Sequence, residues 1–281
     1  GVKSPAKQID TLEYHERTVN VACMGDSDDD DAGWTVATGK KSRGAASNRR
    51  KKHPRPPGPP GPPGSGHAHG SAQSTVTDTV IAKALANVAT SLETLRGHPY
   101  AANVLGNLPD HIGQTKNYWV WGLGSLDNPS QAQLVRYQAS MALLLADRLP
   151  RLAGPPETVD PMFTPLDVAV YERLGFATQT GNHDWTVHDP TLLFAPHLEQ
   201  VFTTRLLRST RETGTLGNLT YIGNSISKCL ERNHVRAAHT DADVVFLKAV
   251  AATMTEVPLR ELGFHAVCPG AFNDLSLHRF P

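Results

Sequence analysis

The sequence predicts an α/β fold of the Rossmann-like type: a mostly parallel sheet with helices on both faces, preceded by a disordered N-terminal tail. Three observations predict it. Short apolar segments alternate with amphipathic helical ones through most of the chain after about residue 75. Those strand-like segments are apolar throughout rather than in every second position, as expected of strands covered on both faces. The clearest of them, residues 118–121, runs straight into Gly122-Leu-Gly124-Ser125. Such a corner lets the backbone approach a phosphate or ribose while the following helix aims unpaired N–H groups at it.

Taken in order, residues 1–74 are read as tail. The acidic run at residues 28–31, the basic clusters at residues 40–43 and 49–55 and the Pro-Pro-Gly triplets at residues 56–64 cannot build a core. The two basic clusters have the form of a bipartite nuclear import signal, a form that solvated linkers share. The folded domain is expected over residues 75–281. Val80, Ala84, Val88, Leu92 and Leu95 recur at helical spacing from Thr77, and Gly97 supplies the stop. After the glycine corner, Asn128 is the expected N-cap, with Pro129 at the first position and Gln131 completing a capping box, for a helix running to Arg148. A short strand ends at Asp160. Thr164, Pro165, Asp167 and Gly175 then bracket a helix by its start and stop signals. Strands are expected at residues 176–180, 185–187, 191–195 and 219–222, with a turn at residues 181–184. Helices are expected after His197, after Ser225 and over residues 241–254. The remainder from Val257 mixes short extended pieces with loops.

Charge is balanced, 27 Lys plus Arg against 27 Asp plus Glu, so composition favours neither a nucleic-acid nor a membrane partner. Three cysteines, Cys23, Cys229 and Cys268, are too scattered for a disulfide framework and favour a reducing compartment. No stretch approaches ~18 apolar residues, and the first residues lack the basic-then-apolar layout of a signal peptide. The expectation is a soluble protein of the cytoplasm, the nucleus or both.

If the strands are parallel, their carboxyl ends share one edge, and the informative residues collect there. They are Gly122, Gly124 and Ser125, then Asp160, His197, and Gly223, Asn224 and Ser225. These are the ligand-pocket candidates. The dinucleotide fingerprint fails in detail: its third glycine position holds Asp127, and Asp160 lies well beyond the ~20-residue spacing of a ribose-binding carboxylate. An ordinary NAD enzyme is disfavoured. No Cys-x-x-Cys pair or His-Glu-x-x-His helix marks a metal, and no Gly-x-Ser-x-Gly marks a covalent nucleophile. Cys268-Pro269 offers a thiolate of the type haem iron accepts, although a small core residue before a turn explains the dipeptide as well. S-adenosylmethionine, a nucleotide and haem all stay open as ligands, and catalytic residues are not assigned.

The ordered set Trp121-Gly-Leu-Gly-Ser125, Gln131 to Leu145, Asp160-Pro-Met-Phe163 with Asp167 and Leu174-Gly175, Phe194-Ala-Pro-His197, Tyr221-Ile-Gly-Asn-Ser225 and Ala271-Phe-Asn-Asp274 resembles one family. It is similar to the sensitivity-to-red-light-reduced-like (SRR-like) proteins over roughly residues 76–281, and Trp34-Thr-Val resembles the short motif many members carry ahead of the domain. The resemblance implies a regulatory role, linked in plants to light input and the circadian clock and elsewhere to haem metabolism and cytoskeletal phenotypes. It carries no reaction. It marks Gly122, Gly124, Asp160, His197, Gly223 and Asn224 as pocket positions. The strand before Asp160 is short for this pattern, so the depth of the second strand is open. Two alternatives stand beside this reading: a methyltransferase-like or nucleotide-binding enzyme with Asp160 near the ribose, and an interaction module with protein partners and no ligand.

Overall fold

A computed structural model describes residues 76–179, 185–235 and 242–281. The predicted tail and the turn at residues 181–184 lie outside the described residues. Seven strands form one sheet in the order β3-β2-β1-β4-β5-β7-β6: β1 Asn117–Trp121, β2 Glu157–Val159, β3 Ala177–Gln179, β4 Thr191–Ala195, β5 Leu219–Asn224, β6 Thr255–Pro258 and β7 Leu275–Arg279. The first five are mutually parallel, and β7 runs antiparallel to both β5 and β6. The sequence order reverses direction between β1 and β4, the switch point at which open α/β sheets form crevices.

Helices cover both faces. α1 (Asp78–Arg96), α2 (Pro99–Gly106), α3 (Ala132–Ala146) and α4 (Pro165–Arg173) pack together, as do α5 (Gln200–Glu212), α6 (Ile226–Val235) and α7 (Ala242–Ala251). All five residues of β4 are buried, which explains its unbroken Thr-Leu-Leu-Phe-Ala run. Successive side chains of β1 serve opposite faces. Tyr118 and Val120 join the core with α1 and α3, the Tyr118 hydroxyl donating to Ala142 O at 3.0 Å. Trp119 stacks on Trp121 with ring centroids 5.2 Å apart, and Trp121 meets Trp185 edge-on at 5.1 Å.

Several expectations are corrected. Residues 185–188 are not a strand: Val187 N–H donates to Thr210 Oγ1 at 3.4 Å, and Val187 O accepts from Thr215 Oγ1, so side chains around the end of α5 satisfy the backbone that a neighbouring strand would otherwise pair. The helix expected from Pro129 begins at Ala132 and has no capping box, because Asn128 Oδ1 accepts from Ser130 N and Oγ (3.1 and 2.8 Å) in a separate turn. The glycine corner therefore leads into a ten-residue connection, residues 122–131, and not directly into a helix. Val80 is exposed and Ile81 takes its place on the buried face of α1. Helix α2 and the insertion of β7 between β5 and β6 were not anticipated. The second strand is as short as its sequence suggested, three residues, yet pairs on both sides.

Candidate functional site

The parallel strands place the ends of β1, β2, β4 and β5 on one rim: Trp121 is in register with Val159, Val120 with Phe194, and Ala195 with Gly223. All eight candidate residues lie along that rim. They divide into two groups with different surroundings.

The β1–β2 group is closed on itself. Gly122 and Gly124 have φ of +67° and +81°, a conformation side-chain-bearing residues avoid, and this turns the chain back over β2. Gly124 N–H donates to Asp160 Oδ2 at 2.6 Å, while the other carboxylate oxygen accepts from Met162 N at 2.8 Å in the turn that follows β2. Burial raises the pKa of Asp160, these two N–H groups lower it, and the nearby Asp167 raises it, with a net upward shift. Asp167 is fully buried and accepts four hydrogen bonds: from Ser125 Oγ (2.7 Å) and Leu126 N (2.7 Å) in the glycine connection, and from Thr164 N (2.7 Å) and Oγ1 (2.9 Å) at the start of α4. The predicted cap at Thr164 is present, completed by Asp167 into a capping box that reaches further than the helix it caps. Ser125 is buried against Asp167 rather than directed at a ligand. The N–H of Gly124 and the carboxylate of Asp160, which a cofactor would need, are spent on each other.

The β4–β5 group opens onto a cavity of about 460 Å³. Its walls come from His197 and Leu198 after β4, Gln200 and Thr203 in the first turn of α5, Asn224 and Ser225 at the end of β5, and Ile226, Cys229 and Arg232 of α6. Leu247 of α7 and the pair Asn273-Asp274 complete it. The cavity is near the switch point: a Cβ on Gly122 would sit 3.7 Å from the backbone of Leu198. Of the predicted residues, His197, Asn224 and Ser225 line it; Gly122, Gly124, Ser125, Asp160 and Gly223 do not.

Each lining group is held. His197 Nε2 lies 3.1 Å from Gly270 O, which fixes the Nε2–H tautomer and leaves Nδ1 as an acceptor. The residue has an exposed edge, but enough protein surrounds the ring that burial lowers its pKa below 6.5, against the raising effect of the Gly270 and Ala271 carbonyls. Asn224 Nδ2 donates to Leu198 O at 3.1 Å, which ties the two strand ends together. Cys229 Sγ donates to Gln200 Oε1 at 2.9 Å; burial raises the thiol pKa, and Arg232 lowers it. Asp274, in the left-handed region at φ 57°, accepts from Lys228 Nζ at 2.6 Å and from Arg232 Nη2, which hold its carboxyl below the usual range.

Gly223 has a packing role in place of the expected ligand contact. It lies within β5, and the Tyr221 ring folds across it, so that an added Cβ would meet the Tyr221 hydroxyl at 2.1 Å. Tyr221 in turn stacks on His278 of β7, centroids 4.9 Å apart. His278 is fully buried, with Nδ1 3.2 Å from Tyr221 O and Nε2 3.8 Å from Glu256 Oε1. The carboxylate of Glu256 caps α6, accepting from Ser225 Oγ and from Ser227 N and Oγ (3.1 and 2.7 Å).

Burial pushes the His278 pKa from 6.5 down to about 4, opposed by the carboxylate of Glu256 and the carbonyl of Tyr221. The unfolded chain takes up this proton below pH 6.5 while the folded chain refuses it until about pH 4. Stability is therefore expected to fall as pH drops across that window, by on the order of 3 kcal/mol from this group, and to lose no more to it below. Glu256, whose pKa is lowered, adds to the loss as pH falls further. Urea unfolding at several pH values checks this: His278→Phe is expected to flatten the slope between pH 6.5 and 4, whatever its effect on stability at pH 7.

Sequence reasoning missed Leu198, Gln200, Thr203, Ile226, Cys229, Arg232, Leu247, Asn273 and Asp274 as lining residues, and Asp167 and Glu256 as organisers. The first turn of each helix following a rim strand was the signal that could have found Gln200, Thr203 and Cys229. Among the described residues no group of His, Cys, Asp or Glu could hold a metal ion, and no helix is long and apolar enough to cross a membrane. Cys268 is buried in the core beside α3 and is absent from the cavity lining, so it does not offer a haem-iron ligand there.

No curated protein matches the sequence significantly. Among solved structures, the chain is similar to an O-methyltransferase from Bacillus cereus in complex with SAH, at 14% identity and a TM-score of 0.37, covering 68% of this chain and 91% of that one. It is also similar to a putative O-methyltransferase from Klebsiella pneumoniae, at 15% identity and a TM-score of 0.39, covering 74% and 92%. A family model, the SRR1 domain, matches residues 92–279, a span that runs from within α1 to the last residue of β7 and takes in the whole sheet with both halves of the rim. The chain belongs to the SRR1 domain family.

Proposed function

We propose that the chain is a regulatory SRR-like protein that responds to a small ligand in the β4–β5 cavity, acting in light-input and circadian control or in haem-linked control, in the cytoplasm, the nucleus or both. The folded unit is residues 75–281, and the preceding residues are a tail. The observation that carries the ligand is the cavity itself. Its volume of about 460 Å³ is of the size that small-molecule sites have, its lining mixes apolar walls with a few fixed polar groups, and it opens beside the strand-order reversal. The family resemblance supports the regulatory role. So does the chemistry of the lining: among the described residues Cys229 is bonded to Gln200 and His197 to a backbone carbonyl, so the two are not joined as nucleophile and base.

A methyltransferase-like reading draws less support, since the glycine corner it would use is closed by Asp160 and Asp167. A thermal-shift screen of the full chain with S-adenosylmethionine, NAD, nucleotides and haem tests both. A compound at 100 times its Kd stabilises by about 2.7 kcal/mol, a shift of roughly 5–10 °C for a domain of this size. Under the cavity reading Cys229→Trp, which fills the space, removes the shift and Asp160→Ala keeps it. The opposite pattern with S-adenosylmethionine favours the enzyme. No shift from any compound, with a stable protein partner captured by the same chain, favours the interaction module.

A further inference from the structure

The cavity has an apolar interior and a charged rim. Leu198, Ile226 and Leu247 form the apolar wall. Among the described lining residues, the ionised side chains at neutral pH are Arg232 and Asp274, since the pKa of His197 is lowered and that of the Cys229 thiol is raised. Asp274 is shared by two cations, Lys228 and Arg232, so the rim holds one positive charge more than it neutralises. Only Nη2 of Arg232 meets Asp274, and the side chain is 67% exposed, which leaves the rest of its donor fork to solvent or a ligand. Its charge reaches inward as well, because it is felt at the Cys229 thiol. Glu256 stands behind Ser225 with its oxygens taken by Ser225 and Ser227, and the amino end of α6 sets a positive dipole against it.

We propose that the cavity takes a small amphiphilic anion, its apolar or aromatic body against Leu198, Ile226 and Leu247 and its carboxylate, sulfonate or phosphate group on the guanidinium of Arg232. The inference rests on the cavity being the ligand site. Lys228 acts through Asp274: the pair holds that carboxylate so that Arg232 stands at the rim with free donors.

The test uses two probes with a common aromatic body, anilinonaphthalene sulfonate and the neutral phenylnaphthylamine, titrated by fluorescence into the full chain at low salt. The anionic probe is expected to bind one site about tenfold more tightly than the neutral one, the ratio a charge-assisted hydrogen bond supplies. Arg232→Gln should weaken the anionic probe by about three- to tenfold, the range for a partly exposed charge, and leave the neutral probe nearly unchanged. Asp274→Asn, a residue that tolerates the left-handed backbone, should tighten the anionic probe. Cys229→Trp, checked for folding by circular dichroism, should abolish both. If the two probes bind equally and Arg232→Gln changes neither, while Cys229→Trp removes both, the anionic ligand is overturned and the cavity stands. If neither probe binds, or Cys229→Trp leaves both in place, the cavity reading falls with it.

Discussion

Replacing Asp167 by alanine is expected to destabilise the protein by about 3–4 kcal/mol and to lower its melting temperature by about 10 °C, the largest effect of any single change along the rim. The carboxylate is fully buried and its four donors belong to two segments far apart in sequence, the glycine connection and the first turn of α4. Alanine leaves Leu126 N–H, Thr164 N–H and the Ser125 hydroxyl without their acceptor in a place water reaches poorly, and each such loss costs ~1–3 kcal/mol before relaxation. An ordinary N-cap deletion costs only about 1 kcal/mol. Thermal unfolding separates the two accounts, since a drop no larger than that of Thr164→Ala means the carboxylate serves the helix alone.

Gly223→Ala is expected to cost about 2–3 kcal/mol, by overpacking. The new methyl group would stand 2.1–2.3 Å from the Tyr221 hydroxyl and ring carbons, a separation real contacts do not reach. Tyr221 cannot step aside cheaply, because it is fully buried and stacked on His278. A double-mutant cycle identifies the cause. With Tyr221→Ala already in place the same substitution should cost under about 0.5 kcal/mol, and a cost unchanged in that background would mean the clash is with something else.

These two residues show what the sequence could and could not reveal. The cap at Thr164 with Asp167 at the third helical position is a local pattern and was legible; that this acid also holds Ser125 and Leu126 depends on β1 and β2 lying side by side, which no local spacing encodes. The parallel core strands were legible because burial on both faces leaves a continuous apolar run, as in β4. The C-terminal stretch was not. β6 has no residue buried along its length, and β7 enters the sheet antiparallel between β5 and β6, so residues 257–281 read as extended pieces among loops. Glu256 comes next to Ser225 only through that pairing. The rim residues lie along one edge, where Gly122 and Gly124 shape a self-bonded corner and Gly223 admits an aromatic ring. A glycine at a strand end signals close approach of some group, without saying whether that group is a ligand or the protein itself.

Amide hydrogen exchange of the full chain, with and without the compound that stabilises it most, tests the central claim most directly. The cavity account predicts slowed exchange at residues 198–203, 224–229 and 273–274, with residues 122–126 unchanged. Protection confined to residues 122–126 and 160–163 would contradict it and return the ligand to the glycine corner.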